Sequence, residues 1–532
     1  SYPHSWRSKA PVIFRNTPQW FISMDKNDLR KKALGEIKKT RWVPEKGQNR
    51  ISAMVTNRGD WCISRQRAWG VPIAIFVNKE SGEILNDTFV DAKILEIFEA
   101  EGSDAWYARP AQDFLGSAYN ADDYEQIKDI IDVWFESGST HGFVCEDRNE
   151  LDSPADLYLE GSDQHRGWFQ SSLLVSTGTR GRAPFKTVLT HGFLLDEKGY
   201  KMSKSEGNVV SPQDLCRDYG ADIMRLWVVG SDYTTDLRIG PKVLKGTVDI
   251  YLRIRNTLCF LLGNLGDFAD DQKLDNYEML SDLDRYILHR LTEVGDTVEA
   301  ALEEFDLHKM VTTLHHFCNF DLSALYFDIN KDNLYCNGEN SDARLACQYV
   351  LNKTFDCLVR WLAPILAFTA EEAWLSRKGL TFDNLEDSVH LQDFPKLPAP
   401  WKNPAVKEKI EQLLDVRRVV TGAIEVKRRD KEIRSSLEAK PVVYLADKKL
   451  QQLVESVNFA DFVITSDIQI VNEAAPAEAF TLEDVEGVGV LVEMAAGEKC
   501  ERCWKITPDV GSNPAHAPVC ERCADVVSDM PA

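Results

Sequence analysis

Hydrophobic and polar residues follow two different patterns along this chain. Before about residue 245, short runs rich in β-branched and aromatic residues, such as 155–160 and 187–193, alternate with helical spacing, as at 168–177. Strands that alternate with helices predict a parallel α/β sheet. Ligands bind such sheets at the carboxyl ends of the strands, and Glu160 and His191 fall at two of these ends.

From about residue 245 to 375, apolar residues recur at helical spacing, which predicts a bundle of helices. A linker at 397–401 precedes a second helical stretch at 405–435. The pattern also predicts shorter elements, namely an amphipathic helix at 26–38 and strands at 71–76, 442–445 and 462–465. The expected fold class is therefore α/β plus all-α.

The composition of the 532 residues, 44% hydrophobic and 27% charged, is that of an ordinary globular protein. Its apolar runs are shorter than the roughly 18 to 20 residues that a membrane helix needs, so we expect no membrane partner. The net charge of −22 argues against non-specific coating of nucleic acid. Residues 416–440 nevertheless carry eight cations against four acids, which indicates either a basic surface or the solvated face of a helix.

Eight of the twelve cysteines are scattered singly, as in reduced proteins of the cytoplasm, where we expect this chain to act. The other four are Cys500, Cys503, Cys520 and Cys523, two Cys-x2-Cys pairs separated by sixteen residues. This spacing predicts a closed tetrahedral site for one structural Zn²⁺. Four free thiols or a redox pair are the alternatives, although a redox motif does not need a second copy.

Several cations lie on the module that carries these cysteines. They are Lys499, Arg502, Lys505 and Arg522. They are suited either to contact an RNA backbone or to remain ordinary surface charges.

A polar loop flanked by glycines contains the run Lys201-Met202-Ser203-Lys204-Ser205. Two lysines three residues apart supply compact positive charges, and serine hydroxyls supply hydrogen bonds to phosphate oxygens. The run is therefore suited to surround a polyphosphate whose charge grows during a reaction. A solvated surface loop is the alternative interpretation of the same composition.

Upstream of this loop, the run Glu160-Gly161-Ser162-Asp163-Gln164 follows a predicted strand. The glycine allows the backbone to approach a ligand closely, and the Asp and Gln side chains can bind hydroxyls or an amine. Taken alone, this run is more typical of a polar turn than of a binding site.

Taken together, these motifs resemble those of the class I aminoacyl-tRNA synthetases, in particular the bacterial-type isoleucyl branch. Trp-Cys-Ile-Ser-Arg-Gln at 61–66 resembles a segment of that branch. Asp-Val-Trp-Phe-Glu-Ser-Gly at 132–138 is similar to another and departs from it at Glu136, where Asp is usual. Glu-Lys-Cys-Glu-Arg-Cys-Trp at 498–504 resembles the branch's terminal knuckle, so the resemblance covers essentially the whole chain.

The resemblance implies a monomeric ligase that activates isoleucine with ATP and Mg²⁺ and transfers it to tRNA(Ile). It assigns Lys201 and Lys204 as catalytic groups that neutralise the triphosphate. It further implies ATP contacts from Lys201, Lys204, Ser203, Ser205, His191 and Gly192. The residues that it implies for isoleucyl-adenylate are Glu160, Gly161, Asp163, Gln164, Trp134 and Trp168.

The resemblance also implies a domain order. It comprises 1–55 as the return from an editing insertion, 56–245 as the second half of the catalytic nucleotide fold, 246–400 as a helical anticodon-binding bundle, 401–495 as a junction domain with a basic helix, and 496–532 as the zinc module.

The second ATP motif of class I synthetases, His-x-Gly-His, does not occur in the chain, and residue 1 is not Met. We therefore expect a C-terminal piece of a longer enzyme, inactive in isolation because half of the catalytic fold and the editing domain are missing. A non-catalytic tRNA-binding fragment and a valyl- or leucyl-type synthetase are alternatives. A zinc-dependent redox or hydrolytic protein is disfavoured by the closed four-cysteine site.

Overall fold

The computed structural model describes residues 2–5, 8–202, 207–269 and 277–530. The chain divides into two compact units. The first unit comprises Ser1–Phe193 with Tyr233–Asp236, and the second comprises Leu194–Asp232 with Leu237–Ala532.

The first unit contains short strands and one longer pair. The strands are β1 (Phe21–Ile22), β2 (Arg41–Val43), β3 (Trp61–Cys62), β4 (Ser64–Arg65), β5 (Phe76–Asn78), β6 (Tyr124–Gln126), β7 (Ile130–Ile131), β8 (Ala155–Gly161) and β9 (Phe185–His191). The helices are α1 (Leu29–Lys39), α2 (Lys46–Thr56), α3 (Thr88–Glu101), α4 (Ala105–Ala108), α5 (Ala111–Leu115), α6 (Val133–Gly138) and α7 (Trp168–Arg180).

A three-stranded parallel sheet in the order β2–β9–β8 lies at the centre of this unit. The sheet confirms the α/β prediction and the strands predicted at 155–160 and 187–193. Helix α1 buries Leu29, Ala33 and Ile37, spaced four residues apart along one face. They join a core that also contains Phe169 of α7 and Val188 of β9. This packing fixes the sheet against its helices.

The strand predicted at 71–76 is wrong, because regular pairing begins only at Phe76. Proline has no backbone N–H to donate to a ladder, and Pro72 forms only an isolated bridge with Ile130. From Phe76 onward, β5 and β6 instead border a separate small core that includes Phe76, Trp106 and Phe114.

The second unit is mainly helical. Its helices are α8 (Pro212–Tyr219), α9 (Ala221–Val229), α10 (Pro241–Asn264), α11 (Asp282–Glu303), α12 (Leu307–His316), α13 (Asp328–Cys336), α14 (Asp342–Leu362), α15 (Ala367–Lys378), α16 (Pro404–Arg429), α17 (Lys448–Glu455), α18 (Phe459–Phe462) and α19 (Glu521–Ser528). Its strands are β10 (Leu194–Leu195), β11 (Leu237–Arg238), β12 (Ala439–Leu445), β13 (Gln469–Val471), β14 (Phe480–Leu482), β15 (Val485–Met494), β16 (Glu498–Lys499) and β17 (Ile506–Thr507).

Helices α10 to α15 confirm the predicted bundle. A π-helical stretch, Phe317–Phe327, joins α12 to α13. The bundle core includes Leu291, Leu314, Leu358 and Trp361, all nearly inaccessible to solvent. A continuous apolar core of this kind is the main source of stability for helices of this length.

Helix α16 confirms the second helical stretch, although it ends at Arg429 and not at residue 435. It packs on a four-stranded sheet in the order β13–β12–β15–β14. The predicted strand at 442–445 lies within β12. The predicted strand at 462–465 is wrong, because Asn458 caps a helical turn at Phe459–Phe462 and Ile464 adopts a φ of 59°. A β-branched residue at positive φ cannot continue a strand.

None of the described helices has both the length and the apolar character of a membrane span.

We expect Asp222→Ala to lower the free energy of unfolding by about 1–2 kcal/mol, because Asp222 caps helix α15 from outside. Its carboxylate accepts hydrogen bonds from the Thr369 backbone N–H (2.8 Å), the Thr369 hydroxyl (2.6 Å) and the Phe368 backbone N–H (3.2 Å). Urea unfolding followed by circular dichroism measures the change. Asp218→Ala, at an exposed position, is the matched control, and equal losses in both variants would contradict the capping role.

Candidate active site and metal centre

The carboxyl ends of β8 and β9 form the centre of the candidate active site. In the parallel register, Glu160 lies opposite Thr190 and Gly161 lies opposite His191. A Cβ atom at Gly161 would lie 2.7 Å from Asp163 Oδ1 and 3.6 Å from His191 Cε1. Glycine therefore lets these polar side chains converge on the strand ends.

Two tryptophans and a glutamine border this cluster. Gln164 Oε1 accepts a hydrogen bond of 3.0 Å from the Trp168 backbone N–H. Trp168 stacks on Tyr158 with centroids 4.2 Å apart, and its Nε1 donates to the Ser137 carbonyl at 2.8 Å. Trp134 is 45% exposed, so one indole is fixed in the wall while the other offers open apolar surface.

Asp132 fixes the start of helix α6, which carries Trp134. This carboxylate is 6% exposed and accepts a 3.0 Å hydrogen bond from Trp61 Nε1. It also pairs with Arg65 at 3.2 Å and caps the Trp134 backbone N–H at 3.4 Å. The sequence analysis missed this positioning role, although an acidic residue directly before a helix is a recognisable capping signal.

His191 and Gly192 are held by the segment Tyr233–Asp236. The Gly192 N–H donates to the Tyr233 carbonyl at 2.9 Å. A Cβ atom at position 192 would lie 2.1 Å from the Thr235 carbonyl oxygen, so this close approach requires glycine. His191 Nδ1 lies 2.8 Å from the Gly192 carbonyl oxygen and donates to it.

The loop that contains the run at 201–205, called here the lysine-rich loop, is held at its base by hydrogen bonds within the second unit. Asp196 accepts hydrogen bonds from the Tyr200 N–H (2.8 Å) and from Asn208 Nδ2 (3.0 Å). These bonds lower the pKa of Asp196, the one from Asn208 most. Asn208 Nδ2 also lies 3.4 Å from the Lys201 carbonyl oxygen, and Lys201 bridges to Leu195. The two ends of the loop are thereby tied together.

The structure gathers part of the predicted site. Glu160, Gly161, Asp163, Gln164, Trp134, Trp168, His191 and Gly192 all belong to the first unit, and Lys201 belongs to the second. Ser203, Lys204 and Ser205 lie outside the described residues.

Cys500, Cys503, Cys520 and Cys523 converge in the second unit, with ligand atoms all within 4.8 Å of one another. Burial disfavours the Cys500 thiolate, but backbone N–H groups of Cys503, Cys520 and Arg502 outweigh it and lower the pKa of Cys500 to about 6. Burial also raises the pKa of Cys503 to about 11. Four nearly inaccessible sulfurs at this spacing fit a tetrahedral structural zinc ion with no open position.

The cations around these cysteines bind protein groups. Arg522 forms a bidentate pair with Asp332 of α13 at 2.6 and 2.8 Å. Lys505 pairs with Asp461 at 2.5 Å. Arg502 donates to the carbonyls of Tyr335 and Cys336, the last residues of α13. These contacts dock the cysteine module on the helical bundle. The sequence analysis offered RNA contacts or ordinary surface charges for these cations and did not anticipate this docking role.

The basic stretch at 416–440 is largely neutralised by nearby acids. Its ion pairs are Arg418–Asp484 (2.6 Å), Lys427–Glu432 (2.7 Å), Arg428–Glu425 (3.0 Å), Arg429–Asp430 (3.2 Å) and Lys440–Asp467 (2.8 Å). Within the described part of the chain, the exposed side chains of Lys431 and Arg434 have no carboxylate within ion-pair distance. The solvated-face interpretation therefore describes most of this helix.

Three parts of the chain match the models of known protein families. Residues 7–240 match the model of class I tRNA synthetases (I, L, M and V), residues 284–444 match the anticodon-binding domain of tRNA ligase, and residues 497–526 match the zinc finger found in FPG and IleRS. The chain belongs to the class I tRNA synthetases, as the sequence motifs predicted.

Within that class, the chain is a homologue of the isoleucine–tRNA ligases. It is 52% identical to the enzyme of Mesorhizobium japonicum, across 100% of this chain and 54% of the relative. It is 50% identical to that of Ruegeria pomeroyi, across 98% of this chain and 55% of the relative. The chain therefore spans about half the length of the curated relatives it matches.

A solved methionyl-tRNA synthetase of Mycobacterium tuberculosis, in complex with methionyl-adenylate, shares the fold. The TM-score is 0.50 at 18% identity, with 75% of this chain and 70% of that chain covered.

We expect the double variant Cys520→Ser, Cys523→Ser to lose its metal, because two thiolates cannot complete a tetrahedral zinc shell. Elemental analysis should fall from one zinc per chain to none. The matched control is Cys259→Ser, at an exposed single cysteine. One zinc per chain in the double variant would contradict the assignment.

Proposed function

We propose that this chain carries the half of an isoleucine–tRNA ligase active site that contains the run Lys201-Met202-Ser203-Lys204-Ser205, together with a tRNA-binding region. The observation that supports this most is the convergence of Gly161, Asp163 and His191 at neighbouring strand ends. The isoleucine–tRNA ligase relatives, similar along the whole chain, supply the identity of the substrate.

In the proposed reaction, the carboxylate of isoleucine attacks the α-phosphorus of ATP and pyrophosphate leaves. The aminoacyl group then passes to the 3′ end of tRNA(Ile). No covalent enzyme intermediate is required, so catalysis consists of positioning and charge stabilisation. Mg²⁺ enters with ATP and shields the phosphate charge.

The side chains divide between two tasks in this proposal. Glu160, Asp163 and Gln164 hold the polar groups of the adenylate, while Trp134 and Trp168 border the isoleucine side chain. In the lysine-rich loop, Lys201 and Lys204 neutralise the triphosphate, with Ser203 and Ser205 donating to its oxygens. ATP also contacts His191 and Gly192 at the end of β9.

We propose that tRNA binds the second unit. The helical region 246–400 would recognise the anticodon arm, with the junction 401–495 beside it. The zinc module, 496–532, would serve as structural support, because three of its cations are already bound to α13 and Asp461. We further propose that the parent enzyme acts as a cytoplasmic monomer.

A non-catalytic tRNA-binding role is the second candidate, since the chain contains no His-x-Gly-His motif. ATP–pyrophosphate exchange distinguishes it from catalysis. A valyl-type enzyme is less well supported, because the relatives of about 50% identity reported above are isoleucine–tRNA ligases.

We expect Lys204→Ala to lower the rate of isoleucine-dependent ATP–pyrophosphate exchange much more than it weakens isoleucine binding, since its charge acts on the transition state. The measurement uses a version of the chain extended to the full length of its relatives. Lys198→Ala, an exposed lysine upstream of the motif, is the control. An unchanged exchange rate in Lys204→Ala would remove the loop from the proposed mechanism.

We expect the chain itself to bind tRNA(Ile) without aminoacylating it. Contacts to phosphate should dominate affinity, so binding should weaken steeply with salt. Filter binding across a salt series, with charging by labelled isoleucine in parallel, measures both properties. Robust charging would contradict the expected inactivity, and salt-independent binding would contradict a phosphate-dominated surface.

A further inference from the structure

A polar cavity of about 470 Å³ lies in the first unit, where strands β2 and β9 end. Its wall includes Lys46 and Arg50 of α2, His165, and the hydroxyl residues Thr190 and Thr235. The carboxyl edge of a parallel α/β sheet is where ligands bind in this class of fold. Gly192, assigned above to ATP, also lines this cavity, but no residue assigned above lies on its α2 side.

Lys46 and Arg50 bring two positive charges to the cavity. Both are exposed, and within the described residues neither side chain makes a hydrogen bond or an ion pair. Lys46 is the first residue of α2, so the positive end of that helix dipole lies at the same place. Arg30 and Arg65 of the same unit, by contrast, are already paired with the carboxylates of Asp25 and Asp132. These two cations are therefore available to an anionic ligand.

His165 adds a second feature that points to a ligand. The imidazole is 2% exposed and its Nδ1–H donates to the Ser162 carbonyl at 2.7 Å. Burial lowers the pKa of His165, and Arg50 adds to the effect, so the ring is neutral and Nε2 is an acceptor. Among the described groups, Nε2 has no hydrogen-bond partner. A buried acceptor of this kind requires a donor to satisfy it.

The missing side chain of Gly47 leaves room beside that acceptor. A Cβ atom at this position would lie 2.9 Å from His165 Nε2, and both residues line the cavity. Asp236 supplies the opposing charge on the wall, where its carboxylate accepts the Phe193 N–H at 2.8 Å. The cavity thus combines a cationic side with hydroxyls and a neutral acceptor.

We propose that this cavity binds a ribose phosphate group, with the phosphate at Lys46 and Arg50 and ribose hydroxyls at His165 and the threonines. A phosphate satisfies the cations, and a sugar hydroxyl supplies the donor that His165 lacks. The ribose phosphate group can come from two sources, a free nucleotide or the terminal nucleotide of an RNA strand. The choice of these two sources rests on the proposed function. Both sources present the same group.

Binding to the chain itself tests the assignment without any need for catalysis. Equilibrium dialysis would use three probes: inorganic phosphate, adenosine 5′-monophosphate and a short single-stranded RNA. We expect Lys46→Ala and Arg50→Ala each to weaken binding of at least one ribose-containing probe by about tenfold, because each removes a charge-assisted hydrogen bond. Arg50→Lys, which keeps the charge, should retain most of the affinity.

Gly47→Ala tests the cavity from the other side. The added methyl group should occupy the space beside His165 Nε2. It should therefore weaken the binding of the ribose-containing probes more than the binding of inorganic phosphate. Lys38→Ala, at an exposed lysine of α1, is the matched control and should bind all probes like the parent chain. Circular dichroism verifies that each variant folds. We expect the substitutions of Lys46, Arg50 and Lys38 to preserve the fold, because these side chains are exposed.

If the Lys46 and Arg50 variants lose binding of the RNA probe only, the source is an RNA terminus. If they lose binding of adenosine 5′-monophosphate only, the source is a free nucleotide. Equal affinities in the parent and the Lys46→Ala, Arg50→Ala double variant would overturn the assignment, as would no binding of any probe. Variant-dependent binding by this chain, together with no isoleucine-dependent ATP–pyrophosphate exchange in the version extended to the full length of its relatives, would contradict the proposed ligase activity and leave the ribose phosphate site intact.

Discussion

The parallel pairing of β8 with β9 is the constraint on which the candidate active site depends. Because the register places Glu160 beside Thr190 and Gly161 beside His191, residues thirty positions apart in sequence share one edge. A shift of one residue would turn every side chain of the strand to the other face. The buried Val188 and Phe169 make such a shift costly, so core packing of the first unit determines where polar side chains converge.

Two close approaches then decide how these strand ends are used. Gly192 tolerates the Thr235 carbonyl oxygen where any side chain would collide, and this brings a segment forty residues downstream to the end of β9. Asp132 performs a comparable role for α6, since its buried carboxylate joins Trp61 and Arg65 to the helix that carries Trp134. Both sets of contacts are made within the protein, and both determine the shape of the site.

Hydrophobic spacing was sufficient to predict the α/β sheet, the helical bundle and α16, because each of these elements buries a regular apolar face. It failed at 71–76 and 462–465, where local backbone chemistry prevailed: Pro72 cannot donate to a ladder, and Asn458 caps a helical turn. The motif residues at the strand ends could be named from sequence by resemblance. The partners that hold them, Asp132 and the segment at 233–236, depend on tertiary contacts that spacing does not contain.

The charges in the sequence were a poor guide to RNA-binding residues, because the sequence does not show which carboxylate or carbonyl each cation contacts in the folded chain. Arg502, Lys505 and Arg522 carry the charge that RNA contact requires, but α13 and Asp461 already use it. The same holds for most cations at 416–440, whereas Lys431 and Arg434 keep exposed side chains without a carboxylate partner among the described residues. An ion pair must be broken before its cation can bind a phosphate, so unpaired cations bind RNA at a lower cost. Recognition of RNA by an acidic chain therefore depends on a few uncompensated positions and not on its count of basic residues.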